Sequence, residues 1–222
     1  VLGLRSYETA WTWMHKLRKA MVRPGRDQLN GIVEVDETYV GGEEQGVAGR
    51  LTEKKAIVVI AIEVHEPKGF GRVRMRQVLD VSAGSLTPFV RHAIQPGATV
   101  RTDGWSGYNH IERHGYVREK HVIAGSGAPA HVVLPGVHRI ASLLKRWLLG
   151  THQGAVSNKH LDYYLDEYTF RFNRGTSLAR GLLFYRLIQQ AVAVDPLRYR
   201  AIVGRPGEPE PISLPDEPDP KG

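Results

Sequence analysis

The chain predicts an α/β fold in which a mixed sheet is flanked by helices, and three observations carry that prediction. Five short runs of β-type residues, punctuated by glycine and polar turns, lie between Gly31 and Ile123. One of them, KAIVVIAIEVHE, is nearly continuous in apolar residues, which marks a strand covered on both faces and therefore central. From His138 onward the apolar spacing changes to the helical period, in three successive segments.

The elements follow in order. Ser6 is placed to cap a helix running to about Arg23, with Trp11, Met14, Leu17 and Met21 on one stripe and Lys16, Arg18, Lys19 and Arg23 outside it. It reads equally as an amphipathic packing helix with a solvated basic face and as the last helix of a helix-turn-helix region, of which residues 1–25 are then a remnant. After Pro24-Gly25, GIVEVDETYVGG is a strand stopped by Gly41-Gly42, and the polar stretch from Glu43 to Lys54 is a loop. KAIVVIAIEVHE and RVRMRQVLDVS are the next two strands. Ser85 to about Ile94 is a helix, ATVRTDG a strand ending at Asp103, Trp105 to Arg113 a short helix and YVREKHVI a fifth strand. A flexible stretch, AGSGAPAHVVLPG, precedes helices at His138–Gly150, Ser157–Asn173 and Leu178 to about Val194. This order of strands and helices suits a ribonuclease-H-like α/β fold, although order alone leaves other mixed sheets open. The main domain is then 26–200, and 201–222 is a disordered, proline-rich acidic tail, with six prolines from Arg205 on.

Composition narrows the function classes. With 222 residues the chain can bury a full core, and with 30 Lys and Arg against 23 acids its net charge is +7, more positive still once the acidic tail is set aside. A basic body selects polyanions, nucleic acid first among them. The lack of cysteine excludes a disulfide framework and a cysteine-ligated zinc site within these residues. No apolar run reaches the length of a membrane span and no signal-peptide pattern opens the chain, so a soluble intracellular protein without a membrane partner is expected. Because LGLRSYETAWTWMHKLRKAM begins inside a helical unit, an upstream segment is expected as well. Gly125-Ser126-Gly127 lacks the Lys-Ser/Thr of a phosphate-cradling loop, which argues against nucleotide hydrolysis and leaves a mobile loop that orders on DNA.

Four residues carry the candidate chemistry. Asp36 and Asp103 each stand at or just past the end of an apolar run, and His138 and Lys145 follow on one helix. At 100° per residue His138, Ser142, Lys145 and Leu149 share a face, while Ile140, Leu143, Leu144 and Trp147 lie opposite. Arg139 and Arg146 form a third flank that can track phosphates. Singly, each residue has an ordinary explanation: a strand-end turn for Asp36, an Asp-Gly turn for Asp103, a locally satisfied helix start for His138, a solvated lysine for Lys145. Together they match phosphodiester transfer by two divalent cations, which needs fixed ligands converging from strands and a helix and a cation for the backbone.

VDETYVGG, VRTDGWSGY, LPGVHRIASLLKRWLLGTHQG and YLDEYTFRFNR resemble the signature blocks of ISXO-type insertion-sequence transposases, a group of the DDE-type, ribonuclease-H-like transposases. The resemblance runs from about Ser6 to Phe184. It implies a catalytic core that binds double-stranded DNA, cleaves at the terminal inverted repeats of its element and joins the freed 3′ ends to target DNA. It further implies two divalent cations, Mg²⁺ or Mn²⁺, a homo-oligomer assembled on DNA and a bacterial, nucleoid-associated cytoplasmic location. By the same match Asp36 and Asp103 correspond to the first two metal ligands, His138 to the third acidic position and Lys145 to the basic residue after it. Relatives also carry an upstream zinc ribbon and helix-turn-helix, so recognition of the element's ends cannot be assigned to these residues.

His138 departs from the family pattern. A neutral imidazole leaves the site one negative charge short and suits Mn²⁺ better than Mg²⁺. Glu167 is the alternative third carboxylate, although a salt bridge to Arg171 four residues on is the simpler reading. Glu34 shares a strand face with Asp36 and is the better supporting residue, whereas Glu37 faces away. Trp105 and Tyr108 suit stacking on an unpaired terminal base, though aromatics at this spacing are more often core. Two other readings remain: a stand-alone nuclease of the same fold, and a catalytically silent DNA-binding descendant.

Overall fold

The computed structural model describes residues 3, 6–23, 25–41, 55–121, 133–179 and 181–204. Side-chain alternation builds its layers. In strand β1 (Ile32–Val40), Val33 and Val35 are buried on one face, and Glu34, Asp36 and Thr38 lie on the other. β2 (Ala56–Val64) is buried along nearly its whole length, as its apolar run requires, and β3 (Phe70–Val78) pairs with it. These three strands run antiparallel, while β4 (Thr99–Thr102) and β5 (Val117–Lys120) join β1 in parallel, giving the order β3-β2-β1-β4-β5. This is the mixed, ribonuclease-H-like sheet that the sequence predicts. β2 is interior, but the middle place belongs to β1.

Helices cover both faces. α1 (Tyr7–Ala20) precedes the sheet, and α2 (Ala83–Ala93) sets Leu86, Phe89 and Val90 against Val33, Val35, Val59 and Ala61. On the opposite face, α3 (Pro135–His152) and α4 (Leu161–Asn173) set Ile140, Leu144, Leu161 and Leu165 against Val58, Ile60, Ile62 and Met75. Each such side chain contributes about 1.5–3 kcal/mol by leaving water. α4 also lies along the outer edge of β3: the Asn173 side chain accepts from the Val73 N–H and donates to the Val73 carbonyl, and Asp162 accepts from the Gln77 N–H. The backbone groups of an edge strand thereby find partners. No helix among the described residues is long and apolar enough to cross a membrane.

Several expectations are corrected. Within α1 the buried side is Thr12, His15, Arg18 and Ala20, not the Trp11, Met14, Leu17 and Met21 stripe, because α1 docks on α4 through a buried Arg18–Glu167 ion pair of 2.8 Å. The short helix at 105–113 is two 3-10 turns, Ser106–Tyr108 and Ile111–His114. The segment from Ser157 opens with a 3-10 turn, Asn158–His160, before α4. The helix expected from Leu178 is α5 (Leu182–Ala193), and a further short helix, α6 (Tyr199–Val203), buries Ile202 and crosses the expected tail boundary at 201. The loop at 43–54, the stretch from 124 to 132 and the tail from 205 lie outside the described residues.

Candidate active site

Parallel pairing of β1 with β4 fixes the two aspartates. Ile32, Val33 and Glu34 stand opposite Thr99, Val100 and Arg101. Carried two residues further, that register sets Asp36 level with Asp103, on the same face by the period of two. Asp103 leaves the sheet in a turn in which its Oδ1 accepts the Trp105 N–H at 2.9 Å. Arg118 of β5 clamps this exit, donating from Nε to Thr102 Oγ1 and from Nη2 to the carbonyls of Asp103 and Trp105. A third residue reaches the same level: β5 pairs Thr102 with Lys120, the His121 N–H donates to the Thr102 carbonyl, and the register places His121 beside Asp103. Sequence reading passed over His121, although the alternation of YVREKHVI contains it.

α3 brings His138 to this end of the sheet. Its first turn is held by Glu34, whose Oε2 accepts the N–H groups of Gly136 at 2.7 Å and Val137 at 3.1 Å. Those amides have no partner within the helix, so a buried carboxylate on β1 satisfies them and complements the positive end of the helix. Burial raises the Glu34 carboxyl above its ordinary value, against the pull of these two bonds and of Arg101 and His121. Contact this close requires glycine: a Cβ at Gly136 would lie 2.8 Å from Glu34 Oε2 and 2.8 Å from the Phe70 ring. The outcome is His138 Nε2 at 3.9 Å from Asp36 Oδ2. Glu34 thus has the supporting role its strand face suggested.

Negative charge gathers beneath. Tyr108 is fully buried, its hydroxyl donates to Glu37 Oε2 at 3.1 Å, and burial first, then the charges of Glu37, Asp36 and Asp103, hold it well above the ordinary tyrosine range. Tyr108 is therefore core, not a stacking platform. Trp105 is anchored too: its Nε1–H donates to the Val81 carbonyl at 2.7 Å and its ring packs on the α2-side core. Along α3, Ile140 and Leu144 are buried while Arg139, Ser142, Lys145, Arg146 and Leu149 are exposed, as the helical spacing predicts. Partial desolvation, and then the neighbouring Lys55, lower the Lys145 ammonium from its ordinary value.

Glu167 is 3% exposed and takes guanidinium bonds on both oxygens, from Arg18 on Oε2 and from Arg171 on Oε1. The salt bridge to Arg171 expected from the spacing forms, and a second, buried one to Arg18 joins it, so the bonding capacity of Glu167 goes to arginine. Among the described residues no group of three or more His, Asp or Glu side chains is already drawn together as a metal cage. The donor set nonetheless suits a divalent cation: one carboxylate in β1, a second just past the end of β4, and an imidazole nitrogen facing Asp36.

Residues 28–173 match the model of the ISXO2-like transposase domain. A Halobacterium salinarum protein described as an uncharacterized protein in transposable element ISH50 is 27% identical over 181 residues, covering 75% of this chain. The chain spans about 60% of that relative's length.

Proposed function

Because the chain belongs to the ISXO2-like transposase domain family, we propose that it is the catalytic core that cleaves DNA at the ends of its element and transfers the freed 3′ hydroxyl into target DNA. What supports the reading is the parallel register of β1 and β4, which continued two residues past Glu34 and Arg101 brings Asp36 level with Asp103, together with His138 facing Asp36 from α3. Two divalent cations, when bound, would activate the nucleophile and stabilise the leaving 3′ oxygen of an in-line displacement. Asp36, Asp103 and His138 would hold them, and Glu34 keeps His138 in place by fixing the start of α3. Water serves as nucleophile in cleavage and the 3′ hydroxyl takes its place in joining, so one site supports both steps. Lys145, Arg139 and Arg146 line the exposed side of α3, where they would grip backbone phosphates.

The test is a cleavage and strand-transfer assay on a duplex carrying an element end. Asp36→Asn and Asp103→Asn should each lose cleavage while keeping DNA affinity within about two-fold, because neither touches the phosphate contacts. Cleavage retained in either variant sinks the assignment, and cleavage without joining in the wild type would make the protein a nuclease.

A further inference from the structure

A cavity of about 580 Å³ opens at the outer edge of the sheet, between β3, the end of α1, α4 and α5, and six arginines line it against two aspartates. Three of the six have an acidic neighbour at hand. Arg72 pairs with Glu63 at 2.6 Å, Arg23 with Asp27 at 3.1 Å, and Arg26 faces Asp166. The other three form no ion pair among the described residues. Arg74, 6% exposed, donates only to the carbonyls of Val73 and Asp27 among the described residues. Arg174 lies with its guanidinium 4.1 Å above the Phe170 ring, and it and Arg186 make no ion pair among the described residues. Burial first, then Arg26 and Arg72, push Arg74 down to about 10. Burial, then Arg186 and Arg23, likewise lower Arg174. Like charges crowded around one concavity are a standing cost that an anion would remove.

We propose that this cavity is a phosphate-binding site that holds a backbone phosphate of bound DNA, remote from Asp36 and Asp103 because β2 separates β3 from β1. Guanidinium forks match phosphate oxygens in pairs, and stacking on Phe170 fixes the direction of one fork before the ligand arrives. The cavity is large enough for a phosphate with its sugar. This site gives the protein a grip on the duplex away from the cut, and it rests on the reading of the chain as a DNA-acting domain.

The experiment titrates a labelled random-sequence duplex with the 222-residue chain across KCl concentrations. Arg174→Gln/Arg186→Gln, whose side chains are partly or fully exposed, should keep the wild-type melting temperature and lower the slope of log affinity against log salt by about one to two units. Inorganic phosphate should raise the melting temperature of the wild type above that in chloride of equal ionic strength, and should not do so in the double variant. An unchanged slope overturns the proposal, and an unchanged slope with phosphate stabilisation retained by the wild type alone reassigns the cavity to a small free anion. Failure of the wild type to bind duplex at all strikes at the proposed function. Wild-type cleavage with an unchanged variant slope strikes at the cavity alone.

Discussion

A buried carboxylate seldom has a single duty, and Glu34 has two: it satisfies two amides of α3 and thereby sets the distance between His138 and Asp36. Glu34→Ala should cost about 1–3 kcal/mol, the penalty for leaving those buried donors without an acceptor. Glu34→Gln, which keeps one oxygen, should recover part of it. Chemical denaturation of the three proteins checks this, and equal stability of Ala and Glu variants would remove the cap. For His138, Mn²⁺ should support more cleavage than Mg²⁺, because transition ions accept imidazole nitrogen and Mg²⁺ strongly prefers oxygen. His138→Glu should narrow or reverse the ratio, and an identical ratio in both proteins would take His138 out of the metal shell. The positions of Asp103, just past the end of β4, and of His138, on a two-faced helix, follow from local patterns legible in the sequence. Asp36 instead sits in the middle of β1 and not at the strand end expected, because the apolar pairing with β2 carries the strand on to Val40. The cap at Glu34 and the Arg18–Glu167 pair were not legible, since their partners lie 102 and 149 residues apart and no periodicity relates them.

At the scale of elements, strands and long helices were read closely because each has one apolar partner surface. α1 misled for the opposite reason: it docks on α4 partly through charge, so Arg18 is buried while Trp13 and Met14 are exposed. The 3-10 turns after β4 are equally hard to foresee, being shaped by close packing of Gly107 against Val81 and Leu86 rather than by a repeat. α4 gives the sharpest expectation at this level. Asn173 both donates to and accepts from Val73, so Asn173→Ala should expose two backbone groups of β3 and cost about 1–3 kcal/mol. Hydrogen exchange at Val73 should quicken in the variant. Unaltered exchange there would show that the side chain adds nothing to the edge.

For the whole molecule, stability should respond to pH through Asp166. Burial first raises its carboxyl to about 7, with Asp162 adding to the shift and Arg26, Lys19 and Arg76 opposing it. The folded state then holds a proton that an unfolded chain, titrating near 4, has released. This group's contribution to stability therefore falls as pH rises from about 4 to about 7 and is level above that. Asp166→Asn should remove that fall relative to wild type, as followed by urea midpoints across the range, and parallel curves for the two proteins would contradict it. The described sheet, finally, has unlike borders: α4 occupies the backbone of β3, whereas β5 has a strand on one side only. A sheet with two open borders can add copies head to tail without limit. One with a single open border can join another only edge to edge across a two-fold axis, after which nothing remains to extend, so strand pairing between copies would end at a dimer and could not propagate into a fibre.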